Sequence, residues 1–189
     1  MMERVKHQEL FLLLAALLVC PSASATTFVR MSIAEMSRAA PLIVRARCVA
    51  NTVEWQGGEI WTFTEFEVEE TWRGRAPERI MVRLLGGRMG NITSTVSGAP
   101  RFRSGEKVVL FLEPAPQGNF SIVSWAQGTF RIHRDLRTNE EVVTEDTAAF
   151  TTFDPAKRQF AANGIRRQPV REFRAQVEAA LSREPARKP

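Results

Sequence analysis

Cysteine and histidine are almost missing from this sequence. Its 189 residues hold two of each, and beyond residue 25 only Cys48 and His133 remain. A single cysteine there excludes an internal disulfide, so stability has to come from a packed core. Cys48 shares its strand parity with Val44 and Ala46, not with Arg45 and Arg47, and reads as a small buried hydrophobe. One cysteine and one histidine cannot build a zinc site of nitrogen and sulfur ligands, and no metal or other cofactor is expected. Mechanisms that pair a nucleophile with a base near neutral pH are crowded onto His133. Asp135 stands two residues on, where an orienting carboxylate would be. Arg131 shares that parity while Phe130 and Ile132 take the opposite one, which marks the His133 face as solvated. The expectation is a non-enzymatic protein.

Long apolar runs are also scarce. The one uninterrupted example, Leu10 to Val19, follows Arg4 and Lys6 and precedes Pro21 and the small-x-small site Ala23-Ser24-Ala25. As a helix it would reach only about 15 Å against roughly 30 Å of hydrocarbon. The pattern is that of a signal peptide, residues 1–25, cut before Thr26, and it predicts a secreted or periplasmic protein with no stable membrane span. A lipidated Cys20 is disfavoured because Val19 is too bulky for the position before the cysteine. Export puts intracellular DNA and RNA out of reach, so no nucleic-acid partner is expected despite a formal net charge of +5.

What remains is enough chain for one domain. Ser32 and Glu35 form an S-x-x-E capping box between Met31 and Met36, predicting a short helix over Ser32 to Ala39 that stops before Pro41. From Leu42 the apolar period changes to alternation. Strands are predicted at Leu42 to Val53, Ile60 to Trp72, Arg79 to Leu85, Lys107 to Leu112, Phe120 to Trp125, Gly128 to His133 and Glu141 to Thr144. No helical crossovers separate them, which favours a small antiparallel, OB-like β-barrel over residues 26–149. Residues 150–181 read as a helical extension packed on the barrel. One helix opens at Asp154-Pro155 and ends at Asn163-Gly164; another follows Pro169 with Val170, Phe173, Val177 and Leu181 as its apolar stripe. Residues 182–189 read as a flexible tail.

Glu65, Glu67 and Glu69 alternate along one strand, and their expected partners are Arg45 and Arg47 across the hairpin. The longest stretch without strand signals, Gly86 to Gly105, carries Arg88, Met89, Arg101 and Phe102 among small residues. Long structured loops in compact domains commonly carry function.

The runs Ala40-Pro41-Leu42-Ile43-Val44-Arg45-Ala46-Arg47-Cys48-Val49, Thr64 to Gly74 and Gly105 to Leu112 together resemble the strand order of netrin-like domains, which include the tissue inhibitors of metalloproteinases. The same order resembles that of exported bacterial proteins of unassigned function. The likeness covers about Phe28 to Arg134 and implies an OB-type barrel. In the inhibitors an N-terminal cysteine presents its amine and carbonyl to a protease zinc; here Thr26 would hold that place, without a disulfide to brace it. The leading expectation is therefore an exported binding module for a protein or cell-envelope component, acting through Thr26, Thr27, Arg88, Met89, Arg101 and Phe102. The alternative is a metalloprotease inhibitor-like protein, with a secreted protease as partner.

Overall fold

A computed structural model describes residues 28–147, 152–154, 158–161 and 164–183. The segment 1–25 expected as a signal peptide and Thr26-Thr27 lie outside these residues, as do residues 184–189 of the expected tail. The chain is mainly β, with one large sheet, a helix near its beginning and a helix at its end.

After strand β1 (Phe28–Val29) comes helix α1 (Ile33–Ala39). Its capping box is complete: the Glu35 backbone N–H donates to Ser32 Oγ at 3.2 Å, and the Ser32 N–H donates to Glu35 Oε2 at 2.7 Å. The extended Ala40 ends it ahead of Pro41. Two long strands follow, β2 (Leu42–Gln56) and β3 (Glu59–Arg73). Gly57 and Gly58 join them at φ 63° and 84°, the left-handed pair that a tight hairpin requires. Register shifts at Ile43/Val44, Arg45/Ala46 and Cys48/Ala50 bend β2. Strand β4 (Arg79–Leu85) continues the meander beside β3.

Strand β7 (Lys107–Pro114) is the branch point of the large sheet. It runs antiparallel to β2, to β8 (Phe120–Ile122) and to β9 (Thr129–Arg134). Beyond β9 lie β10 (Glu141–Glu145) and β13 (Gln168–Pro169). In the other direction β8 pairs in parallel with β4 through Val82 and Phe120, so the order β7-β2-β3-β4-β8 returns to β7. The apolar run of β7 is continuous because both of its faces are covered. Val108, Leu110 and Leu112 point into the ring with Val44, Ala46, Cys48, Phe66 and Val82; Val109 and Phe111 point out toward Met36, Phe130, Val143, Phe173 and Val177. The second core sits under helix α2 (Val170–Ser182), whose Phe173 ring lies 4.5 Å from that of Phe130.

Three segments differ from the sequence expectation. The strand expected through Trp125 ends at Ile122, and the chain then turns over Val123 to Gly128. The Gly86 to Gly105 stretch holds a hairpin of β5 (Gly87–Met89) and β6 (Ile92–Ser94), each too short for a period to show. Where a helix was expected from Asp154, the described residues form β11 (Thr152–Asp154) and β12 (Gln159–Ala161), and β11 pairs with β1. Pairing with the N-terminal strand overrides the local helix signal of Asp-Pro. The extension over 150–181 is therefore strand first and helix after Pro169.

Candidate functional site

At the end of β4 the chain turns through Gly86 and Gly87 and opens a cleft of about 370 Å³. Its floor comes from the ring interior. Thr62 continues the inward parity of Ile60, Thr64 and Phe66, so β3 places hydroxyls where apolar side chains would otherwise sit. Thr64 Oγ1 donates to Asn51 Oδ1 at 2.7 Å, and Asn51 Nδ2 donates to the Phe102 carbonyl at 3.0 Å. Thr62 Oγ1 donates to the Gly86 carbonyl at 2.6 Å. These bonds satisfy polar groups that burial would otherwise leave costly.

Arg101 ties the loop together. Its Nη1 donates to Thr62 Oγ1 at 3.1 Å and to the Gly86 carbonyl at 2.9 Å, and its Nη2 reaches the Ser94 carbonyl at 3.3 Å. Gly86 has φ +89°, and a Cβ there would lie 2.7 Å from both Arg101 Nη2 and the Ser94 carbonyl. Only glycine lets the guanidinium cross so close to the backbone. Phe102 belongs to the core: it is 7% exposed. Arg131 covers its ring at 5.4 Å while pairing with Glu106 at 2.6 Å and Asp146 at 2.7 Å.

Of the residues singled out in the sequence, the structure brings Arg88, Arg101 and Phe102 to this one cleft. Arg101 and Phe102 are its scaffold. Arg88 is exposed at the wall, and among the described residues its side chain donates only to the nearby Gly90 carbonyl at 3.3 Å. Met89 is half-buried and does not line the cleft. Asn51, Thr62, Thr93, Ser94 and Thr95 add the other polar side chains, and Val53, Leu84 and Gly87 complete the lining; the inward parity of Thr62 and Thr64 is the sequence signal that would have pointed to it.

Several of the remaining charged groups are paired with one another. Arg45 bonds Glu69 at 2.9 Å and Glu141 at 2.9 Å; Arg47 pairs with Glu67, as the alternation predicts, whereas Glu65 goes to Arg79 at 2.9 Å. Asp135 is held by Arg167 and not by the exposed His133. That bond, then the Arg137 backbone N–H, pulls its carboxyl down to about 2. Burial pushes the Cys48 thiol up, the Glu106 charge adds to this, and the Asn51 amide opposes it. Among the described residues no three His, Cys, Asp or Glu side chains are grouped to hold a metal ion, and no helix is long and apolar enough to cross a membrane. No protein-family model matches this chain, and no curated protein does.

Proposed function

We propose that this chain is an exported, non-enzymatic binding module on an OB-type barrel, and that its cleft takes an anionic group of a protein or cell-envelope partner. The barrel reading is supported by the ring of pairings β2-β3-β4-β8-β7 and by the parallel contact of β4 with β8. The binding reading is carried by one observation: two guanidiniums, four hydroxyls and the Asn51 amide line the cleft, and no carboxylate does. Arg45, Arg47, Arg79, Arg131, Arg167, Arg171 and Arg174 each pair with an acid, whereas among the described residues neither arginine of the cleft does, so a cationic cleft without any carboxylate is set up for an acid from outside. Trp55 and Ile92, each more than half exposed on the two hairpins that form the cleft, offer the apolar contacts that flank such a hot spot.

The test is an NMR titration of the mature protein with hexaglutamate and, separately, inorganic phosphate. Amide shifts at Arg88, Thr93, Ser94 and Thr95, weakened at least about tenfold in Arg88→Gln, are expected. Neither probe moving these amides ends the reading.

The inhibitor reading rests on how the N-terminal segment is held. Gln127 Nε2 donates to the Val29 carbonyl at 2.9 Å and Gln127 Oε1 accepts from the Met31 N–H at 2.8 Å, fixing the strand that leads back to Thr26. Inhibition of a zinc protease that is lost when one residue is added before Thr26 would support it. A panel of such proteases left fully active would remove it.

A further inference from the structure

A second groove, of about 400 Å³, opens where β4 and β8 part. One register pair, Val82 with Phe120, joins these strands, so among the described residues Arg83 to Leu85 have no strand neighbour on that side. Trp61, Arg83, Leu85, Pro114, Pro116 and Trp125 form most of its walls, and no acidic side chain lines it.

Arg83 is the unusual member. Its guanidinium carbon lies 3.8 Å from the centre of the Trp61 ring. Its Nε is buried with no hydrogen-bond partner, and it pairs with no carboxylate among the described residues. Arg45, Arg47, Arg79, Arg131, Arg167 and Arg174 all have one. A half-buried cation with no carboxylate beside it is a cost to the folded chain unless a ligand supplies one. Stacking on an indole fixes the plane of the fork, ready for two-pronged contact with a carboxylate.

Trp125 closes the other side, and the chain accepts backbone strain to put it there. Ser124 and Trp125 stand at φ 51° and 52°, consecutive left-handed residues of which neither is glycine. The Gln127 and Gly128 backbone N–H groups donate back to the Ser124 and Trp125 carbonyls at 3.1 Å each, and the Ala126 N–H donates to Gly98 at 3.1 Å. Gly128 has no substitute, since a Cβ there would meet the Val123 carbonyl at 2.2 Å. The ring N–H groups of Trp61 and Trp125 have no acceptor among the described residues.

We infer that this groove docks an extended segment of a partner protein, which sets an aspartate or glutamate side chain on Arg83 and an apolar side chain between Trp61 and Trp125. Charge complementarity selects the acid. The unpaired flank of β4 selects an extended backbone, on which residues two apart face the same way about 6.6 Å from each other. The recognised pattern is acidic-x-apolar. Two tryptophans and an arginine are the residue types that dominate such contacts.

The probe is an acetylated, amidated pentapeptide with glutamate second, leucine fourth and alanine elsewhere, followed by the indole N–H resonances of the mature protein. Expected are shifts of Trp61 and Trp125 but not of Trp72. The affinity should fall at least about fivefold when glutamine replaces glutamate. It should fall similarly in Arg83→Gln and in Ser121→Glu, which puts a competing carboxylate in the groove. Stationary indoles, equal binding of the glutamine peptide, or full binding by a folded Arg83→Gln or Ser121→Glu protein would each overturn the inference. So would shifts caused by glucuronate and not by the peptide, which would give the groove to an acidic sugar.

Discussion

The ring of Phe102 stands edge-on to that of Phe66, their centres 5.0 Å apart and their planes at 82°. An aromatic from the long loop is thereby locked into the interior of the ring by a strand residue. Phe102→Ala should cost about 3–4 kcal/mol in urea unfolding, by loss of burial and the void left behind. A loss under about 1 kcal/mol would mean that the loop is not held by this contact.

Removing one member of a charge cluster shows what the rest is worth. Arg45→Leu leaves Glu141 without its cation, while Glu69 keeps Lys107 at 3.2 Å. Because Arg45 is only 14% exposed, a loss of about 2 kcal/mol is expected, larger than a surface pair gives. It should shrink little in 1 M salt, and stability unchanged by the substitution would contradict the account.

Asp135 predicts an acid limb. Its folded carboxyl titrates at about 2, below the reference 3.8, so its stabilising contribution is complete above pH 3.8 and is lost as pH falls through 2. In Arg167→Gln the Asp135 midpoint, followed by carboxyl NMR, should move back toward 3.8. The pH dependence of stability between these values should flatten with it. An unmoved midpoint would show that Arg167 is not the cause.

The Cys48 thiol is fully buried and its ionisation is disfavoured. In the folded protein at pH 8 its reaction with a disulfide reagent should be at least about a hundredfold slower than in denaturant. Comparable rates would place it at the surface.

Much of this fold is legible where several local signals agree. Ser32, Glu35 and Pro41 bound α1 at both ends; the alternation of β2 and β3 pairs Arg47 with Glu67; Phe173 and Val177 mark the buried face of α2. Legibility fails where partners distant in sequence decide. Phe102 looks like an exposed binding residue among arginines and glycines, yet the amide of Asn51 and the guanidinium of Arg131 fix it inward. The three-residue strands β5 and β6 are too short to carry a period, and β11 exists because β1 lies alongside it. Nothing local announces that Ser124 and Trp125 take left-handed backbone angles, because glycine is absent where that geometry usually demands it. The candidate cleft was half visible: its cations lie on the loop, but Asn51 and Thr62, 11 residues apart in the chain, reach it from two different strands, and only the register of the hairpin brings them to one side.

The lone rung between Val82 and Phe120 gives the molecule a seam. Every other junction around the ring is zipped by at least three successive register pairs, so thermal breathing will part this one first. Anything that bridges the two lips acts as a clasp. Deuterium uptake along β8 is therefore a direct gauge of whether the protein is holding something or standing open.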